Sequence, residues 1–292
     1  MYKIISDSAC DLPQAYVNEH DITIVPLSVS FDGETYYRDG VDITRNECYQ
    51  RMVDNPNVYP KTSLPSVDSY YTTFKEYVEK DIPVICFTIS LIFSGSYNSA
   101  MNAKGLIEEE YPDAKIYIID TKQNTVTQAL IIDQTVRMRD AALPLEKALD
   151  KIQKVIDSAR IFFTVGSLDY LQMGGRIGKV AAAASKIDVK PVIIMKDGDI
   201  SLGGIGRNRN KLKKKVLAVA DKYLTEKGKD NFIVSVGYGY DAAEGVSFMN
   251  ELEETLGIKL QSETNAAIGI VSGVHTGPHP IGLGCVQKYE TL

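Results

Sequence analysis

Short apolar segments alternate with amphipathic ones over the first half of the chain. Residues 82–89 are nearly all apolar, which is typical of a strand buried on both faces of a parallel sheet. Residues 2–6 and 115–120 repeat the strand pattern, and helical periodicity marks three further segments, residues 97–111, 126–142 and 145–159. This alternation predicts an α/β domain built on a doubly wound, mostly parallel sheet.

Turn signals predict a hairpin near the N-terminus. Residues 22–31 alternate enough between apolar and polar positions to form one strand. Asp32-Gly33 has the composition of a turn, and residues 34–38 then return as a second arm.

Three polar residues have the position of helix N-caps. Asp11 precedes a helix that is predicted to begin near Pro13. Thr44 and Glu47 have the spacing of a capping box, and Ser66 precedes an apolar stripe of helical period.

The pattern changes near residue 161, where shorter strands and helices follow one another. Strands are predicted at residues 161–165, 189–195, 200–202, 232–237, 258–261 and 267–271, and helices at residues 167–173, 210–225 and 242–256. This mixture predicts a second α/β domain with a mixed sheet. We expect domains over residues 1–158 and 159–292, with the ligand between them.

The composition of the 292 residues narrows the class of protein. Apolar residues make up 44% and charged residues 24%, as in soluble globular proteins, and no run approaches the roughly 20 apolar residues of a membrane span. The chain starts directly with a strand pattern, so no secretory signal is expected and a cytoplasmic location is predicted. The four cysteines share no CxxC spacing and are expected to be reduced and packed.

The net charge of −6 argues against nucleic acid as the main partner, because phosphate binding needs a basic surface. Residues 207–215 are a local exception with six basic residues and no acidic one. Such a run is commonly a solvated helix face, and in an acidic protein it is also a candidate docking surface for a partner. The candidate docking residues are Arg207, Arg209, Lys213, Lys214 and Lys215.

Four segments place small polar residues beside glycine or proline after apolar runs. They are Pro60-Lys61-Thr62-Ser63, Phe93-Ser94-Gly95-Ser96, Gly174-Gly175-Arg176-Ile177 and His275-Thr276-Gly277-Pro278. Glycine lets the backbone approach a ligand, and hydroxyl, guanidinium and imidazole groups supply the donors that a buried anion requires. Each segment alone also suits an ordinary cap or turn. Together they predict a site for a small anionic head group, with His275 at the end of a strand.

Several signatures of nucleotide and metal enzymes are absent from the sequence. There is no GxGxxG after the first strand, no GxxxxGK[ST], no HExxH and no GxSxG. The three histidines, His20, His275 and His279, do not have the spacing of a metal site. No cofactor and no metal are therefore expected.

Seven ordered segments make the chain resemble the DegV family of bacterial fatty acid-binding proteins. They are residues 6–13, 37–43, 60–63, 94–100, 168–177, 190–192 and 275–278. The resemblance extends over nearly the whole chain. Two places depart from the family pattern: Leu64 stands where a glutamine is usual, and residues 91–93 are apolar where the family is polar.

The resemblance implies a non-catalytic protein that binds a long-chain fatty acid and presents it to a separate ATP-dependent kinase subunit. Thr62 and Ser94 would hydrogen-bond the carboxylate, and Arg176 and His275 would complete the polar network. The acyl chain would enter a tunnel in the second domain. The full set of expected ligand-binding residues is Thr62, Ser63, Ser94, Gly95, Arg176, His275 and Thr276.

Two other functions stay open at this point. One is an acyl-ester hydrolase or acyltransferase that uses Ser94 with His275, although no acid partner is identifiable. The other is a regulatory module that binds another small anion. A transient contact with a membrane surface is a further expectation for a protein that carries fatty acids.

Overall fold

The computed structural model describes residues 2–181, 189–260 and 265–292. The strands are β1 Lys3–Asp7, β2 Ile22–Val25, β3 Ser28–Ser30, β4 Tyr37–Arg38, β5 Lys61–Ser63, β6 Val84–Thr88, β7 Ile116–Asp120, β8 Arg160–Thr164, β9 Lys190–Lys196, β10 Asp199–Gly206, β11 Phe232–Tyr238, β12 Ala266–Ala267 and β13 Ile281–Gln287. The described α-helices are α1 Gln14–Glu19, α2 Arg45–Asp54, α3 Val67–Val78, α4 Ser96–Glu110, α5 Thr125–Asp140, α6 Leu145–Ser158, α7 Asp169–Met173, α8 Arg209–Lys227, α9 Ala242–Leu256 and α10 Ile270–Thr276. Within the described ranges, no helix combines the length and the apolar character that crossing a membrane requires.

The first large sheet has the strand order β2-β1-β6-β7, and all of its pairs are parallel. On one face, Phe74 of α3 and Ala103 of α4 pack with Val84 and Cys86 of β6. Helices α1, α5 and α6 cover the other face. Because helices lie on both faces of parallel strands, the predicted doubly wound sheet is confirmed.

The second large sheet is mixed and has the order β10-β9-β8-β13-β11-β12. Only β11 and β12 pair in parallel, and the other pairs are antiparallel. Val216 of α8 and Phe248 of α9 pack against one face, while Ile233 and Val286 on the other face join the cluster around α5 and α6. The chain is therefore a two-domain α/β protein. The domain boundary after residue 158 stays a prediction and falls between α6 and β8.

Helix α5 lies between the two large sheets, and 13 of its 16 residues are buried. Two of its buried polar side chains form hydrogen bonds to other elements of the protein. Gln128 donates to the Asp7 carboxylate over 2.9 Å, and Asp133 accepts from the Tyr16 hydroxyl over 2.8 Å. These bonds join the helix to β1 and α1.

Two of the expected helix caps form as predicted. The Thr44 and Glu47 side chains make a reciprocal capping box at the start of α2, and Ser66 accepts from the Ser69 amide at the start of α3. Asp11 is not a cap of α1: it adopts a left-handed φ of 52°, and Pro13 occupies the N-cap position. The Asp11 carboxylate turns instead towards Gly269, where α10 begins.

The predicted strand over residues 22–31 is wrong as a single element. It divides at Pro26, which has no amide hydrogen to donate to a sheet. β2 ends at Val25 in the parallel sheet, whereas β3 pairs antiparallel with β4 and β5 in a separate three-stranded sheet. The expected hairpin arm is confirmed as the short β4.

The predictions for the last fifth of the chain need two corrections. Residues 258–260 form no strand, and Gln261 lies outside the described residues. The strand predicted over 267–271 stops at Ala267, and helix α10 begins at Ile270. Ile270 and Val274 are four residues apart and pack together on α2 and β3, so the β-branched side chains follow a helical period. β13 was not predicted; its glycines interrupt the apolar run.

All four cysteines are free and buried, as the sequence predicts. Burial raises the pKa of the Cys10 and Cys285 thiols to about 12. Both therefore stay protonated near neutral pH and act as packing residues.

Packing of α5 against β13 predicts the effect of Gly284→Ala. The added methyl group would overlap the Thr127 hydroxyl and crowd the Thr127 Cβ atom and the Val126 side chain. We expect urea unfolding to show a loss of about 1–3 kcal/mol, as in overpacked cores. Gly105→Ala on α4 is the control, because open space surrounds that position and a stabilisation of about 0.5–1 kcal/mol is expected. Equal stabilities for the two variants would contradict this account of the α5 contact.

Candidate functional site

A cavity of about 200 Å³ lies where the first sheet, α10 and the second sheet meet. It is larger than an engineered apolar cavity of about 150 Å³ that holds benzene. All seven residues that the sequence predicts as ligand-binding line it. The described lining residues are Leu27, Thr62, Ser63, Leu64, Ile89, Phe93, Ser94, Gly95, Asn124, Phe163, Leu171, Arg176, Met195, Ile200, Val271, Ser272, His275 and Thr276.

The position of the cavity follows from the topology of the parallel sheet. β1 leads to β2 on one side, and β6 then continues on the other side of β1, which makes β1 and β6 the switch point of the sheet. Ligands of doubly wound sheets bind beyond the carboxyl ends of the strands at such a point. Ile89 and Ser94 follow β6 there, and Asn124 follows β7.

His275 and Thr62 form the first polar pair of the cavity. The Nε2 atom of His275 lies 2.8 Å from the Thr62 hydroxyl oxygen, and the Nδ1 atom is buried with no hydrogen-bond partner. We assign the ring proton to Nε2, since only that nitrogen has an acceptor. His275 then donates to Thr62, and the Thr62 proton is free to point into the cavity.

The electrostatics of His275 agree with this assignment. Burial and, to a smaller extent, the nearby Arg176 cation together lower the pKa of the imidazole from 6.5 to about 4. The ring is therefore neutral at physiological pH. A neutral His275 acts as a donor with one fixed proton rather than as a charged group.

Ser94 supplies the second cavity hydroxyl at the start of α4. Its oxygen accepts from the Ser96 amide over 3.2 Å and lies 2.9 Å from the Ser96 hydroxyl. The N-terminus of a helix carries partial positive charge, which favours an anion beside Ser94. Gly95 is the N-cap residue of this helix.

Arg176 is the one cation among the described lining residues, and it ties two loops together. Its Nε and Nη2 atoms donate to the Phe93 carbonyl over 3.3 and 3.2 Å, and Nη1 donates to the Gly174 carbonyl. A side chain at Gly174 would collide with the His275 ring, so glycine permits the close approach of this loop to His275. Arg176 thus lines the cavity and also holds the loop that carries Ser94.

The apolar wall comes from the second sheet. Phe163, Met195 and Ile200 project from β8, β9 and β10 into one cluster, which Leu171 of α7 joins. A second cavity of about 40 Å³ shares Phe163 and Thr276 with the first and continues the apolar lining. The site is therefore amphipathic, with hydroxyl and guanidinium groups from β5, the loops and α10 and hydrocarbon from the second sheet.

Three predicted site residues have contacts that the sequence did not indicate. His275 lies in the last turn of α10 and not at the end of a strand, because that segment is helical. The Thr276 hydroxyl donates to the Ser272 carbonyl over 2.8 Å, so its proton is used within α10. Ser63 is exposed at the rim, on the opposite face of β5 from Thr62.

Sequence reasoning missed Asn124 and Ser272, whose side chains are hydrogen-bonded over 3.2 Å in the cavity wall. Asn124 is the N-cap residue of α5, and an asparagine before a helical run is the signal that would have indicated it. Ser272 directly follows the segment 267–271, for which the sequence predicts a strand.

The basic run at α8 separates into two groups. Arg207, Lys214 and Lys215 are exposed. Arg209 makes a bidentate ion pair with Glu244 at 2.9 and 2.7 Å, and the buried Lys213 lies 3.5 Å from the same carboxylate. Arg209 and Lys213 therefore join α8 to α9. Of the five residues that the sequence predicts for docking, three remain exposed near this end of α8.

A family model described as an uncharacterised protein of the DegV family matches residues 1–288. The chain belongs to the DegV family. The matched region includes every segment on which the sequence resemblance was based.

Solved structures and curated sequences extend this DegV relationship. A stearic acid-binding protein from Eubacterium ventriosum is 72% identical, each chain is covered over 100% of its length, and the TM-score is 0.98. A fatty acid-binding DegV family protein from Thermus thermophilus is 25% identical, with 98% of this chain and 99% of that chain covered and a TM-score of 0.88. A DegV domain-containing protein of Clostridium acetobutylicum is 26% identical over 98% of this chain and 99% of its own length.

The depressed pKa of His275 predicts how stability depends on pH. The unfolded chain takes up this proton near pH 6.5, and the folded chain only near pH 4. Stability is therefore lost as pH falls through this window, by roughly 3 kcal/mol for a shift of this size. Urea unfolding at pH 7 and pH 4 should show a correspondingly smaller loss in His275→Gln than in the wild type. Identical losses in both proteins would contradict a buried, neutral His275.

Proposed function

We propose that this protein binds a long-chain fatty acid, with the carboxylate at Thr62 and Ser94 and the acyl chain along Phe163, Met195 and Ile200. The observation that carries the proposal is the amphipathic cavity in which the Thr62 and Ser94 hydroxyls each accept a hydrogen bond from the protein. His275 donates to Thr62 and the Ser96 amide donates to Ser94, so both hydroxyl protons can be directed at the ligand. The 72% identical relative that binds stearic acid supports the same assignment.

The energetics suit an acyl ligand. Burial of roughly 15 methylene groups at about 0.8 kcal/mol each gives on the order of 12 kcal/mol before the costs of association. A carboxylate that left water without donors would cancel much of this gain. Thr62, Ser94 and Arg176 supply those donors at the polar side of the cavity. The hydrocarbon chain thus provides affinity, and the polar group provides orientation.

The geometry favours binding over catalysis by a serine–histidine pair. A hydrolase would need the Ser94 hydroxyl on the His275 ring, but His275 Nε2 is engaged by Thr62 and Ser94 by Ser96. A histidine with a pKa of about 4 is also a weak general base near neutral pH. The large apolar wall likewise favours an acyl chain over a small hydrophilic anion.

We propose that the loaded protein presents its carboxylate to a separate ATP-dependent fatty acid kinase subunit and is itself non-catalytic. The exposed rim residue Ser63 borders the head-group site, which gives a partner access to it. Arg207, Lys214 and Lys215 offer an exposed basic surface for docking. This surface is smaller than the set of five residues that the sequence suggests.

Exposed apolar residues beside the head-group site support a transient contact with a membrane surface. Leu64, Leu91 and Ile92 are 45%, 51% and 55% exposed. Leu64 lines the cavity, and Ile92 lies near the β9–β10 turn at Gly198. A fatty acid that enters from a bilayer would pass such a surface without crossing water. A cytoplasmic location stays a prediction.

Solvent extraction and displacement of a fluorescent fatty acid test the binding proposal. Purified protein is expected to release about one equivalent of a long-chain fatty acid, identified by mass spectrometry. In delipidated protein, Thr62→Ala and Ser94→Ala should each weaken binding by about 1–3 kcal/mol, because a buried carboxylate loses a donor. Thr73→Ala on the exposed side of α3 is the control and should bind normally. Protein that releases no lipid and binds no C14–C18 fatty acid would rule the proposal out.

Charge reversal tests the docking surface. The double variant Lys214→Glu, Lys215→Glu should slow acyl phosphate formation by the kinase subunit several-fold at low salt, with unchanged fatty acid affinity. Lys222→Glu with Lys227→Glu is the matched control, since these exposed lysines lie towards the other end of α8. Equal rates for both double variants would place the kinase elsewhere.

A further inference from the structure

Asp7 ends β1 and lies fully buried beneath the loop that carries Ser94. Its carboxylate accepts from the Ile89 amide over 2.8 Å and from the Gln128 side chain over 2.9 Å. The Ser96 side chain lies close enough to this carboxylate to favour its charged form. Asp7 therefore joins the cavity loop to the central helix α5.

Ser96 connects Asp7 to the cavity. The Ser96 hydroxyl is fully buried and lies 2.9 Å from the Ser94 hydroxyl, which lines the cavity. A buried carboxylate is thus separated from the proposed head group by only two hydroxyl groups. A change in the charge of either carboxyl group would therefore shift the pKa of the other, because the two groups are close together and buried from water.

The titratable groups that face Asp7 in the described part of the chain are all acids. They are Cys10 and Asp11 after β1, Tyr70 of α3 and Cys86 of β6. On the cavity side, beyond Ser94, lie the Arg176 cation and the neutral His275. Burial raises the pKa of Asp7 to about 6, although hydrogen bonds from Ile89 and Gln128 and the nearby Ser96 side chain oppose the rise. Asp7 is therefore ionised near neutral pH without an adjoining cation.

A ligand carboxylate at Ser94 adds a second negative charge to this path. Two like charges in a low-dielectric site raise the pKa of one of the acids, as in paired carboxyl groups. Protonation of Asp7 also orients the hydroxyls favourably: Asp7 can donate to Ser96, Ser96 to Ser94, and Ser94 to the ligand. Each proton in the chain then points towards the bound anion.

We propose that Asp7 is a positioning residue that takes up one proton from solvent when an anionic head group binds at Ser94, which couples fatty acid binding to protonation. The inference rests on the proposed function, because it needs an anion in the cavity. Asp7 does not touch the ligand and acts through Ser96 and Ser94.

Calorimetry of the full, delipidated chain tests the coupling. Laurate and dodecyl sulfonate are titrated at pH 7 in phosphate and in Tris, whose ionisation enthalpies differ; the sulfonate stays anionic throughout. The wild type should take up more than about half a proton per ligand, since Asp7 starts mainly ionised. Binding of the sulfonate should be up to about tenfold tighter at pH 7 than at pH 8.

Variants assign the proton to Asp7. Asp7→Asn should lose the uptake, and Ser96→Ala, which keeps Asp7 but breaks the path, should reduce it. Asp39→Asn is the matched control, because burial also raises the pKa of Asp39 to about 6 while its hydrogen-bond partner is Ser8. The control should keep the wild-type uptake.

The outcomes separate this inference from the proposed function. Wild-type protein that binds both probes without proton uptake, or Asp7→Asn that retains it, would overturn the role of Asp7. If Asp7→Asn does not fold, the number of protons taken up by the wild type and by Ser96→Ala still tests the role of Asp7. Wild-type protein that binds neither these probes nor a C14–C18 fatty acid would instead overturn fatty acid binding.

Discussion

Burial of α5 on all sides is the constraint on which the rest of the structure depends. The helix packs against the parallel sheet and the mixed sheet at once, so it has almost no surface for polar groups to reach water. Its glutamine and aspartate side chains must find partners within the protein. Gln128 does so at Asp7, and Asp133 at Tyr16. The two domains are consequently joined by a shared core and by a few specific polar bonds.

This arrangement places the head-group site. The N-cap residue Asn124 enters the cavity wall and meets Ser272 of α10. Gln128, one turn further along α5, holds the carboxylate behind the Ser94 loop. Helix α5, which joins the two sheets, thus also packs behind the polar side of the cavity. The second sheet supplies the hydrocarbon wall.

The Thr62 and Ser94 hydroxyls have the same hydrogen-bonding arrangement. Each hydroxyl oxygen accepts a hydrogen bond from the protein, so its own proton is free for an acceptor in the cavity. Neutral His275 serves Thr62, and the backbone at the start of α4 serves Ser94. With Arg176 occupied in part by loop carbonyls, hydrogen bonds rather than a dedicated ion pair would hold an anionic head group here. Leu64 and Phe93 line the cavity with hydrocarbon beside this site.

Features that depend on near neighbours were determined by the sequence itself. The capping box at Thr44, the Ser66 cap and the buried strand near residue 85 need only local periodicity and local hydrogen bonds. The seven family segments likewise named all seven predicted residues that line the cavity. Tertiary structure decided what those residues do: Thr62 meets His275 across 213 positions of sequence. It also made residues 270–276 a helix, because packing on α2 and β3 outweighs the β propensity of isoleucine and valine. Arg209 and Lys213 pair with Glu244 for the same reason, since no local pattern records which distant charge a folded chain will bring near.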